Sequence, residues 1–179
     1  MEIDLDGKNQ QYNKMYGIPQ DSYKATLADI SEPFETPGYE NKDIMTEKVR
    51  LEFDIELPGE IKEVNVFEGE NKSVDVMKIV RIPMYATTKI SKGSGKYSNS
   101  KMYDVVHILG VNKMLEQDKE SLKVNDTYDS KKFVEWLKSK SIGALVKVQI
   151  KNSETGISRV SGINRLIDNP HVVKVETVE

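Results

Sequence analysis

The sequence predicts a mainly β domain of the α+β class: a five-stranded Greek-key barrel with a helix between its third and fourth strands, preceded by an N-terminal extension. Three observations carry this expectation. Residues 49–57, Val-Arg-Leu-Glu-Phe-Asp-Ile-Glu-Leu, alternate apolar and charged without a break, the mark of a half-buried strand. Met102, Val105, Val106 and Leu109 recur at helical spacing just after a Gly/Ser/Lys loop. Val146, Val148 and Ile150 then alternate with Lys147, Gln149 and Lys151 before Asn152-Ser153-Glu154-Thr155-Gly156, which reads as a hairpin turn.

The elements follow in order. Residues 1–46 read as an acidic arm. They hold Pro19, Pro33 and Pro37, the polar run Asn9-Gln10-Gln11, and apolar residues with no sustained period. Composition fits a disordered acidic tail, yet four of the eight tyrosines lie here, which is aromatic-rich for disorder, so an arm docked on the domain or on a partner is the other reading. The domain is expected to span 47–168. Val49, Leu51, Phe53, Ile55 and Leu57 face inward, and Arg50, Glu52, Asp54 and Glu56 face outward, before Pro58-Gly59 breaks the strand. Residues 61–67 alternate again, and Glu68-Gly69-Glu70-Asn71 is a turn. Val74, Val76, Val80, Ile82 and Met84 share one face of a long strand, interrupted at Lys78, with Pro83 indicating an edge.

Residues 91–100 form a basic, flexible loop, and Ser98, Asn99 or Ser100 caps the helix that ends near Gly110. Residues 115–128 are polar, anchored by Leu122 and Val124. Ser130 caps a short helix, 131–138, that carries Phe133, Val134, Trp136 and Leu137. Val146, Val148 and Ile150 point inward from the next strand, and Lys147, Gln149 and Lys151 point outward. The hairpin partner is 157–163, Asn169-Pro170 breaks it, and 169–179 is a β-prone tail.

A chain of 179 residues buries a single core without staples. It has no cysteine, which removes disulfides, thiolate metal sites and thiol catalysis, and the two histidines, His107 and His171, offer no metal cluster. No apolar run is long enough to span a bilayer, and the acidic N-terminus lacks the core of a signal peptide. A cytoplasmic protein is expected, inside the host cell if viral. No cofactor and no catalytic residue is expected.

The net charge of −3 conceals a strong asymmetry. Residues 1–71 carry 7 Lys+Arg against 17 Asp+Glu, whereas 72–101 carry 7 against Asp75 alone. A basic block inside an acidic chain attracts polyanions through its local field, although such a run is equally at home as a solvated loop. Gly93-Ser94-Gly95-Lys96 approaches a phosphate loop but lacks the earlier glycine and the following Ser/Thr. Glu52, Asp54 and Glu56 read as a solvated strand face rather than a cation site.

Three strands, a basic loop, helices and a closing hairpin make up the order of the OB-fold, whose sheet face and loops bind oligonucleotides. Residues 47–166 also resemble a family of phage-encoded OB-fold proteins linked to single-stranded DNA binding. The likeness lies in the opening strand Glu47-Lys48-Val49-Arg50-Leu51-Glu52-Phe53 and in Ser98-Asn99-Ser100-Lys101-Met102-Tyr103, running to Leu109-Gly110. It continues in Phe133-Val134-Glu135-Trp136-Leu137, in Ile142-Gly143-Ala144-Leu145-Val146-Lys147-Val148 and in the Lys-rich hairpin 151–163. The resemblance implies binding without catalysis.

Sequence-independent binding of single strands needs cations along the phosphates and aromatic faces for the bases. The candidate cations are Lys78, Arg81, Lys89, Lys92, Lys96 and Lys101, with Lys147, Lys151 and Arg159 on the later hairpin; Tyr85, Tyr97 and Tyr103 interleave with them. Tyr85 has a second reading, packing on the arm, and Tyr103 another, covering the core from its helix. Trp136 reads as core and His107 as a satisfied polar contact. The expected partner is single-stranded DNA, with RNA open, in viral or mobile-element replication or recombination. The acidic arm, at −5, would compete for the groove or recruit a replication or virion protein. The rival class is a protein-interaction module built on the same barrel.

Overall fold

A computed structural model describes residues 14–38, 41–61, 63–96 and 98–166. The chain runs β1 (Lys14–Gly17), β2 (Ser22–Ile30), β3 (Phe34–Pro37), β4 (Met45–Glu56), β5 (Val64–Glu68), β6 (Asn71–Asp75) and β7 (Ile79–Thr87). Next come α1 (Lys101–Ile108), α2 (Asn112–Asp118) with a closing 3-10 turn (Lys119–Leu122), and the short hairpin β8 (Lys123–Val124) and β9 (Thr127–Tyr128). The described residues finish with α3 (Ser130–Ser141), β10 (Leu145–Asn152) and β11 (Ser158–Asn164). The protein is mainly β with three α-helices among the described residues, the α+β class.

The principal sheet has the order β11-β10-β2-β4-β3, with β7 paired to the opposite side of β4. The sheet curves until β7 lies beside β11, with Cα atoms within 8 Å. No ladder joins those two strands, so the sheet does not close into a barrel. Pro83 suits this position, since the unpaired side of β7 asks for no amide donor there. A smaller sheet, β1-β5-β6, carries β1 against both β7 and β11.

Alternation in β4 sets the core. Val49, Leu51, Phe53 and Ile55 are fully buried, and they meet Val80, Ile82 and Met84 of β7. Val146, Val148 and Ile150 of β10 close the opposite wall. α1 packs on β7 and β11 through Met102, Val105 and Val106, while α3 packs on β2. Leu57 follows the strand and is half-buried.

The expected arm is the largest departure. Its residues 22–30 form β2, a central strand between β10 and β4, and bury Tyr23, Ala25, Leu27 and Ile30. The expected boundary at 46/47 falls inside a ladder, with Thr36 of β3 opposite Thr46 of β4. A bulge between Leu27 and Asp29 shifts the strand's period, so Ile30 leaves the alternation that Tyr23, Ala25 and Leu27 establish. Residues 18–21 are pinned to the last hairpin. The buried Ser158 Oγ accepts from the Ile18 amide at 2.9 Å, Asn152 Nδ2 donates to the Ile18 carbonyl at 2.8 Å, and Gln20 Oε1 accepts from the Asn152 amide at 2.8 Å. The chains come so close here that a Cβ on Gly17 would stand 2.4 Å from the Gly156 carbonyl oxygen.

Other elements differ in detail. The expected long strand 74–85 is two strands, β6 and β7. Asp75 Oδ1 accepts from the Val76 amide at 2.8 Å and the chain bends through Lys78, leaving Val74 and Val76 exposed. Ser100 does cap α1, accepting from the Tyr103 amide at 3.2 Å. The α3 cap is Asp129, which accepts from the Lys132 amide at 3.0 Å, while Ser130 is its first residue and donates to Glu47. Leu122 is buried, but Val124 lies on an exposed hairpin whose turn, Asn125-Asp126, has left-handed backbone. Trp136 covers the core edge, stacked on Phe133 and donating to Asp118 at 2.9 Å. The expected tail, 169–179, lies outside the described residues.

Candidate nucleic-acid interface

The outer faces of β4 and β7 meet row by row. Arg50 stands opposite Tyr85, Glu52 opposite Pro83, and Asp54 opposite Arg81. Arg50, Glu52, Arg81, Pro83 and Tyr85, together with Lys14–Tyr16 of β1, Asp29 and Ser31 at the end of β2, and Ile157–Arg159 entering β11, enclose a groove of about 360 Å³. The alternation that buries Leu51, Phe53 and Ile55 necessarily turns Arg50, Glu52 and Asp54 to this side.

Most charges in the groove are already paired. Arg81 forks onto Asp54, with Nε donating to Oδ1 at 2.8 Å and Nη2 to Oδ2 at 3.0 Å. That bond, reinforced by the nearby carboxylates of Glu52 and Asp29, raises the guanidinium pKa above its ordinary value. Arg50 Nε donates to Glu52, both side chains being largely withdrawn from solvent, and Asp29 meets Lys138 Nζ at 3.2 Å. Lys14 and Arg159 have no carboxylate at ion-pair distance among the described residues. The Arg159 guanidinium lies 5.1 Å from the Tyr85 ring centroid, and Phe34 meets that ring edge-on at 6.4 Å. Tyr85 thus packs on the former arm through Phe34, as its second reading has it, and also lines the groove.

The structure brings together only part of the expected set. Arg81, Tyr85 and Arg159 share the groove, and Lys151 is the ladder partner of Arg159. Lys78 is exposed at the bend before β7, and Lys92 and Lys96 are exposed in the loop before α1. Lys89 edges a different hollow, of about 450 Å³, with Ile90, Leu115, Leu122 and Phe133 among its walls. Lys101 opens α1 and borders a third hollow with Asn164, which is the ladder partner of Lys147. Tyr103 is half-buried and stacked on His107, with ring centroids 4.1 Å apart. The His107 Nδ1 lies 2.9 Å from the Tyr103 carbonyl oxygen, the satisfied contact expected of it. Tyr97 lies outside the described residues. Lys14, Tyr16, Asp29, Arg50, Glu52 and Asp54 were not among the expected binding residues; only the outward parity of Arg50, Glu52 and Asp54 was legible.

Among the described residues no cluster of His, Asp and Glu is arranged to hold a metal ion, and no helix is long and apolar enough to cross a membrane. Comparison with protein-family models, curated proteins and solved structures finds no match for this chain.

Proposed function

We propose that this protein binds single-stranded nucleic acid, DNA in the first instance, without catalysis, inside the cell and in the service of viral or mobile-element replication or recombination. The strand pairing supports an OB-type reading. β2, β4 and β7 take the places of the first three strands, α1 to α3 fill the interval before the fourth, and β10 and β11 return beside β2 and β7. In that architecture the face of the second and third strands receives oligonucleotides. Here that face is the groove of β4 and β7, and the observation that carries the reading is the Tyr85 ring on it with Arg159 alongside. Tyr85 serves as a base platform, and Lys14 and Arg159 meet the phosphates.

The test is fluorescence anisotropy of a labelled oligo-dT. Stacking on one tyrosine is worth about 1–3 kcal/mol, so Tyr85→Ala should weaken binding roughly 5- to 150-fold. Absence of wild-type binding at low salt, or an unchanged affinity in Tyr85→Ala, refutes the reading. The rival, a protein-interaction module, draws on β6, an edge strand exposed along its whole length, where Val74 and the following Val76 stand in solvent. An apolar contact there would hold its partner with little sensitivity to salt.

A further inference from the structure

A surface that holds nucleic acid by charge alone should be uniformly basic, and this groove is not. Three carboxylates, Asp54, Glu52 and Asp29, act on Arg81, and Asp54 occupies its Nε edge through two hydrogen bonds. A guanidinium has five N–H donors in one plane. Asp54 takes one from Nε and one from Nη2, which leaves the Nη1–Nη2 edge as a planar fork. The Arg81 side chain is 49% exposed and lines the groove, so that edge remains open to a ligand. Its acceptor must tolerate the surrounding carboxylates. A phosphate on that fork would sit beside the Asp54 carboxylate that already holds Arg81, whereas a neutral base edge with two coplanar acceptors carries no charge for it to repel. Guanine offers that pair in O6 and N7, the usual partner of an arginine fork.

We propose that Arg81, held by Asp54, reads a guanine edge, giving the groove a base preference on top of its general affinity for single strands. Asp54 is the positioning residue: it fixes the plane of the guanidinium and cancels the charge that would otherwise draw a phosphate. Arg81 and Tyr85 lie four residues apart on one strand face, about 13 Å at the usual rise. A base stacked on Tyr85 and a guanine at Arg81 are therefore different nucleotides of the same strand. The inference rests on the nucleic-acid reading above.

The experiment compares full-length protein binding to oligo-dT, to oligo-dT carrying isolated dG residues, and to the same strand with 7-deazaguanine, which lacks N7. The dG strand should bind about tenfold tighter than oligo-dT, and the 7-deaza strand should lose most of that gain. Arg81→Lys, which keeps the charge but not the fork, should remove the preference, bringing the dG strand down to the affinity of oligo-dT for the same variant. Asp54→Ala should also erase the preference and steepen the salt dependence, because Arg81 becomes an ordinary phosphate-seeking cation. Equal affinity for the dT and dG strands, or a preference that survives Arg81→Lys, overturns the inference and leaves the general reading standing. Failure to bind any of the three strands overturns both.

Discussion

The groove makes a quantitative claim about salt. Each phosphate neutralised on a single strand contributes about −0.7 to the slope of log K against log salt. Lys14 and Arg159 are the groove cations without a carboxylate partner among the described residues, so two contacts and a slope of about −1.4 are expected. Raising salt from about 50 to about 200 mM should then cost about sevenfold in affinity. Had all nine lysines and arginines expected from the sequence met phosphates, the slope would approach about −6 and the loss would run to thousands. The perturbation is Arg159→Gln, which should flatten the slope by about 0.7, with Lys96→Glu as a control that leaves it unchanged. Anisotropy of labelled oligo-dT at four salt concentrations measures both. A wild-type slope steeper than about −4, or a slope that responds to Lys96→Glu and not to Arg159→Gln, would show that the basic loop, not the groove, is the binding surface.

Two further predictions concern the fold that carries the groove. Leu27 is fully buried in β2, so Leu27→Ala should cost about 3–5 kcal/mol; urea unfolding measures it, and a loss below about 1 kcal/mol would return residues 22–30 to the status of an arm. Tyr23 donates its hydroxyl to the Pro19 carbonyl at 2.6 Å, and burial, then the charges of Asp21 and Glu60, raise its pKa above 10.0. A raised folded-state pKa leaves Tyr23's contribution intact below pH 10 and removes it as pH climbs through the folded value. Stability followed by circular dichroism should therefore fall above pH 10, and Tyr23→Phe should lessen that fall; an identical alkaline profile in the variant would refute the assignment.

Several elements were legible because their periodicity is uninterrupted. β4, β10 and the buried faces of α1 and α3 can each be read from a run that keeps its period from end to end. β2 was hidden because its bulge and short flanking strands break the pattern, and its burial comes from β10, more than a hundred residues away. β6 misled for the opposite reason: Val74, and Val76 just beyond it, continue the alternation of β7, yet the bend at 76–78 leaves them in solvent.

The candidate site divides along the same line. Parity within a strand is local, so the sequence by itself determined that Arg50, Glu52, Asp54, Arg81 and Tyr85 stand on outer faces. It also determined the mainly β class and the helical interval between the early strands and the final hairpin. Which outer faces meet is not local. Only the tertiary structure paired Asp54 with Arg81, laid Arg159 beside Tyr85, and drew Lys14 and Tyr16 from the N-terminal segment into the groove. The physical reason is that a charge's effect depends on what lies within a few ångströms. The basic block that dominates the linear sequence is spread over several surfaces in space, whereas cations and aromatics scattered along the chain converge where β4, β7, β1 and β11 come together.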